Sequence, residues 1–204
     1  MLSTLAVIIL AASEPRIPGG VAVPASLPAG SNALYGYVGV PDIAVGYRQG
    51  FGLVEIDGRV GFNLLKVSFV GEVAVKFAAL TKDAFRLAPL VDLGVEFNTG
   101  AYYFYGSNFA YVGLRPKVGA VATYQFSDIV TGLAQLEVPF SIALTVRGFQ
   151  ITPTTALGAE FHLGERFSLL VAGIIGFDAT RTPADNTFYS VAWGARLGLG
   201  YRIF

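Results

Sequence analysis

The sequence predicts an all-β protein: a closed, antiparallel, up-and-down transmembrane β-barrel of about ten strands, with eight as the alternative count. Three observations carry this. The chain of 204 residues is 53% hydrophobic and only 14% charged, against roughly 25% charge in ordinary soluble domains. No apolar run approaches the ~20 residues that a membrane-spanning helix needs. From position 33 onward, apolar and polar residues alternate with a period of two, as in strands with two unlike faces. High hydrophobicity spread thinly over many alternating segments is what lipid-facing strands require.

Composition also narrows function. The formal net charge is zero, so no electrostatic footprint for nucleic acid is present. The absence of cysteine excludes disulfides and thiolate metal sites. No cofactor is expected.

The N-terminal stretch LSTLAVIILAAS resembles the apolar core of a secretory signal, with Ala11-Ala12-Ser13 as a small-residue cleavage site, over residues 1–13. A buried first strand is the alternative. Residues 14–32 carry Pro15, Pro18, Pro24 and Pro28. Proline cannot donate to a sheet ladder, so this stretch is expected to be a linker or a tail resting in the lumen. Residues 33–204 form the barrel.

Turn signals divide the barrel into strands at 33–40, 42–49, 53–63, 66–79, 85–98, 109–126, 130–145, 149–163, 166–179 and 188–203. In 67–79, Val67, Phe69, Val73, Val75 and Phe77 share one face, with Ser68, Glu72 and Lys76 on the other. In 85–98 the apolar face is Phe85, Leu87, Val91, Leu93, Val95 and Phe97. The last strand sets Tyr189, Val191, Trp193, Leu197, Leu199, Tyr201 and Ile203 against small or charged residues. Short connections at 50–52, 80–84, 127–128 and 164–165 fall at one end, and the two long ones, 99–108 and 181–187, at the other. That matches short periplasmic turns and longer outer loops. Aromatic pairs on one face, Phe85/Phe97, Phe149/Phe161, Phe167/Phe177 and Tyr189/Tyr201, are expected to form the two interfacial girdles.

If the apolar faces meet lipid, the other faces line the lumen. Its expected acids are Glu55, Asp57, Glu72, Asp92, Glu96, Glu137, Glu160 and Asp178. Its expected bases are Arg48, Arg59, Lys76, Arg86, Arg115, Lys117, Arg196 and Arg202. Eight against eight suggests an internal network of ion pairs that narrows or plugs the lumen, because a buried charge is tolerable only when paired. A ring of one sign would have suggested a selective pore.

His162 is the only histidine. With Glu160 two residues before it and Ser168 on the next strand, it is the one candidate for hydrolytic chemistry. A lumen histidine bonded to a carboxylate is the plainer reading and the preferred one. No catalytic, cofactor or metal residue is assigned.

The final segment ARLGLGYRIF, residues 195–204, resembles the C-terminal assembly strand of Gram-negative outer-membrane proteins, which end in an aromatic. In architecture the chain resembles the small OmpA/OmpX-type barrels. The resemblance implies a bacterial outer-membrane location, lipid and the barrel-assembly machinery as partners, and an assembly signal in Tyr201, Ile203 and Phe204. Arg202 stands where that family carries a hydrophobic residue. The barrel lipid A deacylases have a His-x-Ser motif, which Gly164 breaks here. The leading expectation is a barrel with a charge-lined, narrow or plugged lumen and a structural or surface-interaction role, or a minor pore. The alternatives are a barrel hydrolase acting on lipid or lipopolysaccharide, and a soluble lipocalin-like binder.

Overall fold

A computed structural model describes residues 26–103 and 107–203. The signal-like segment, most of the proline-rich stretch and Phe204 lie outside the described residues. Twelve strands form one sheet: β1 (Asn32–Val40), β2 (Asp42–Gly50), β3 (Val54–Asn63), β4 (Ser68–Phe77), β5 (Leu80–Lys82), β6 (Phe85–Thr99), β7 (Ala110–Gln125), β8 (Val130–Ala143), β9 (Phe149–Ile151), β10 (Thr154–Leu163), β11 (Phe167–Arg181) and β12 (Thr187–Arg202).

They make ten staves, because two staves are each built from two strands. β5 continues β4 beyond a β-bulge. Lys76 faces Leu90 and Leu80 faces Leu87, so four steps on one strand meet three on the other. β9 and β10 share one register on β8 and β11 and are separated only at Thr152-Pro153, where proline has no N–H to give. β1 pairs with β12 and closes the barrel. An even number of staves puts the start of β1 and the end of β12 at one mouth.

The register is staggered. From Gly36 the pairing runs through Val45, Val60, Gly71, Val95, Leu114, Ile142, Phe149 and Arg181 to Thr187. Extended by the β1–β12 register, Thr187 would face a residue twelve places beyond Gly36. Twelve residues of about 3.3 Å against ten spacings of about 4.7 Å tilt the strands by about 40°, a usual barrel value.

Alternation sorts the faces as expected. Val38, Leu197 and Val171 form an exposed aliphatic row across three staves, while Glu72, Asp92, Lys117 and Glu137 are buried inside. An exterior of Leu, Val, Ile and Phe around a charged interior inverts a soluble barrel, so the lipocalin-like reading is set aside. Outward aromatics bracket the aliphatic middle at Phe69/Phe77, Phe85/Phe97, Phe167/Phe177 and Trp193/Tyr201. Spacings of eight to twelve residues at this tilt give roughly 20–30 Å of height, the apolar span of a membrane barrel. One expected girdle position moves. Each step to the next stave shifts the level by about one residue, so Trp193, rather than Tyr189, stands level with Phe177 and Phe140. Tyr189 rises above the girdle.

The wall is uneven. β1 to β4 have nine or ten residues each, whereas β6, β7, β11 and β12 have fifteen or sixteen. The β1–β2 hairpin turns at Val40-Pro41, so this side of the rim is low.

Candidate functional site in the barrel lumen

At the mouth where β1 starts and β12 ends, Ser26, Leu27 and Ser31 are buried inside the wall, while Pro28, Ala29 and Gly30 are exposed. Leu27 is 1% exposed, and its N–H donates to Glu55 Oε2 at 2.7 Å. Gly30 N and Gly50 N bond to Gly50 O and Ser31 O, which stitches the segment to β2. Arg202 donates to Ser31 Oγ at 3.2 Å. A bulkier residue at Gly50 would strike the carbonyl of Pro28, 2.2 Å from its Cβ position. The segment is therefore fixed against β2 at this mouth.

Above it, Arg48 and Glu55 are fully buried and paired at 2.5 Å. Lys76 Nζ reaches Glu55 at 3.0 Å and Asp57 at 3.1 Å, and Tyr35 OH donates to Asp57 Oδ1 at 2.8 Å. The opposite wall at this level is apolar: Leu90, Val121, Leu133, Leu170 and Ala172 pack together. The polar-inside rule did not anticipate that patch. The void beside it is about 40 Å³, room for a few water molecules.

The next tier centres on Lys117, whose ammonium meets Asp92 at 2.7 Å, Glu72 at 3.0 Å and Glu137 at 3.2 Å. Arg59 pairs with Glu72 from the adjoining stave. Ser141 Oγ donates to Glu96 at 2.6 Å. Arg115 is held more loosely, 3.6 Å from Glu72 and 3.8 Å from Glu96. Arg196 stacks over Tyr37 at 4.7 Å and reaches Asp42 at 3.2 Å. These contacts are strong where both partners are dry and each lone pair or N–H is used.

Of the sixteen expected lumen charges, all sit on inward-facing positions. Asp178 lies higher than the rest and is paired with Lys66. Arg86 has no ion pair among the described residues, and Glu160 is buried on the inward face of β10. Lys66 and Asp42 were missed because they stand at strand ends, where alternation says nothing about direction. Lys66 comes from the β3–β4 turn and crosses the barrel mouth to Asp178 and to Gln150 Oε1, the latter at 3.2 Å. Asn108 joins this strap by donating to Lys66 O at 3.2 Å. Between the Lys117 tier and the strap lies a vestibule of about 640 Å³.

The hydrolytic candidates do not assemble. His162 and Ser168 face each other across β10 and β11, but His162 Nε2 bonds to Thr131 Oγ1 at 2.9 Å. Ser168 Oγ is buried with no hydrogen-bond partner. A nucleophile without a base bonded to it is not activated. Among the described residues no group of His, Cys, Asp or Glu has the arrangement of a metal site.

The fold defines the class: a ten-stave transmembrane β-barrel with charged side chains on its inner wall. No family model matches the chain, and no curated protein matches it. Solved structures that resemble it include a de novo designed transmembrane β-barrel, at 12% identity and TM-score 0.39, covering 87% of this chain and 99% of that one. The KdgM porin in complex with disordered oligogalacturonate has 10% identity and TM-score 0.43, with 84% and 98% covered. The NanC porin has 10% identity and TM-score 0.42, with 83% and 98% covered.

Proposed function

We propose that this protein is an integral barrel of a bacterial outer membrane whose lumen is plugged, so that it works at the membrane surface and conducts ions poorly. Its long connections and vestibule face outward, and the mouth that holds the Leu27 segment faces the periplasm. The observation that supports this most is the stacking of the Leu27 segment, the Arg48–Glu55–Lys76–Asp57 cluster and the Lys117 tier, with only a small void between the two charged tiers. A ten-stranded barrel is little wider than the eight-stranded kind whose side chains just fill it. In this reading lipid is the protein's standing partner, and the barrel-assembly machinery reads the last strand, including Tyr201, Ile203 and Phe204.

The test is conductance. Protein purified in detergent is inserted into a planar lipid bilayer and recorded at steady voltage. The plugged barrel gives rare, small steps. A large, steady, weakly selective current would refute the reading.

A further inference from the structure

β12 is longer than the strand it closes against. Its pairing with β1 ends at Ala195 opposite Val40, whereas its pairing with β11 continues to Thr187. From Gly194 to Thr187 no strand lies on its other side among the described residues. At about 3.3 Å per residue this leaves roughly 25 Å of free sheet edge above the β1–β2 hairpin. Outward side chains along it have cross-strand neighbours only on the β11 side, where Tyr189, Val191 and Trp193 face Ala179, Phe177 and Ile175. The inward side chains there are small: Gly194 lies close against Val40 and Pro41, Tyr102 lies against Ser190, and the gap falls between them at Ala192. Backbone polar groups at an open edge are not left facing hydrocarbon, but they are tolerated where they line a cavity. Here they do, because the vestibule reaches this edge and is lined by Pro41 and Asp42 on one side and by Ala192 and Trp193 on the other.

The vestibule is thus notched sideways from the upper aromatic girdle upward. Its floor carries two guanidinium groups with donors to spare. Arg115 makes no hydrogen bond among the described residues, its nearest carboxylates being 3.6 and 3.8 Å away. Arg196 gives one bond to Asp42, and its Nε is buried without a partner. Guanidinium forks with vacant N–H groups match the two oxygens of a carboxylate or phosphate. A cavity of about 640 Å³ is in the usual range for a small ligand.

Resting on the membrane placement proposed above, we infer that the notch between β12 and the β1–β2 hairpin admits a single-chain amphiphile from the outer leaflet. Its anionic head sits on Arg115, with Arg196 beneath it, and its apolar chain leaves past Trp193, at girdle height, to run down the outer face. A fatty acid and an alkyl phosphate share this chemistry.

Trp193 is the only tryptophan in the chain, so its fluorescence reports on the notch directly. The full-length protein in phosphatidylcholine vesicles is titrated with a fatty acid brominated on its chain, with an alkyl phosphate carrying the same chain, and with the matching brominated alcohol. The two anions are expected to quench Trp193 saturably, and the alcohol only in proportion to its amount in the bilayer. Arg115→Gln/Arg196→Gln should weaken saturable quenching about tenfold or more, as expected for losing charged hydrogen bonds. Ala192→Phe, which fills the notch without touching an ion pair, should abolish it. Retained heat-modifiable migration on gels confirms that each variant is folded. Equal quenching by acid and alcohol, or variants that bind like the parent, overturns the inference. If only one anion saturates, that one is the head group recognised. A vesicle lipid brominated just below its head group should quench Trp193 in every case; failure there would sink the membrane placement instead. If the free edge takes a strand from a second copy, the protein is dimeric by light scattering and no saturation appears, which also overturns the ligand.

Discussion

Depth along the outer face sets how strongly a charge there destabilises the barrel. Leu197 lies four residues from Trp193 and four from Tyr201, midway between the girdles, flanked by the exposed Val38 and Val171. Val95 is two residues from Phe97, close to the upper girdle. At about 2.5 Å of height per residue for this tilt, Leu197 is about 10 Å from either interface and Val95 about 5 Å. An arginine at the bilayer midplane costs about 2–4 kcal/mol, falling to about 0–1 near the interface. Leu197→Arg should therefore lower the folding equilibrium constant by about 30-fold to 1,000-fold, and Val95→Arg by several-fold at most. The assay is reversible unfolding in guanidinium chloride with the protein in lipid vesicles, comparing midpoints at a constant slope. An equal or reversed order for the two variants would refute the placement of the belt. A harmless Leu197→Arg would refute the outward orientation of this face.

Three further outcomes follow from the lumen and the last strand. Lys117→Ala leaves Glu72, Asp92 and Glu137 short of their shared cation and should cost about 3–5 kcal/mol by the same unfolding assay, with Lys117→Met/Glu137→Gln recovering part of it. Leu27→Asp puts a carboxylate beside Glu55 and should expel the segment at 26–31, seen as faster proteolysis near residue 27 and more frequent conductance steps. Truncation from Tyr201 removes the partners of Leu34, Ala33 and Phe167 and should eliminate folded barrel from the outer-membrane fraction; normal levels would dismiss an assembly role for these residues.

The faces were legible in the sequence because strand alternation fixes which side each residue takes. That is why Glu72, Asp92 and Lys117 read as inward, and Leu197 as outward, from the sequence alone. Height was not legible. It depends on the stagger accumulated around all ten staves, so Tyr189 was expected in the girdle that Trp193 occupies. Pairing across the lumen was equally hidden. Lys66 sits in a turn 112 positions from Asp178, and no local pattern joins two residues on opposite walls. The bulge between β4 and β5 was missed because 66–79 reads as one uninterrupted run. The inward apolar patch escaped for the opposite reason: Leu90 and Leu170 each adjoin outward apolar neighbours, Val91 and Val171, and a mixed run carries no sign of which member turns in.

The joint between first and last strands has a mechanical consequence. β1 and β12 share eight paired positions, whereas β11 and β12 share fifteen, as do β6 and β7. It is also a joint between the two ends of the barrel chain, so it closes only when the whole sheet is in place. The β1–β2 ladder is shorter still, with six paired positions, but a tight turn ties its strands together; the seam has no such tie, so partial unfolding starts there and runs outward. In hydrogen–deuterium exchange the amides of β1 and the unpaired reach of β12 should trade first. Those of β6 and β7, diametrically across the barrel, should be the last to go.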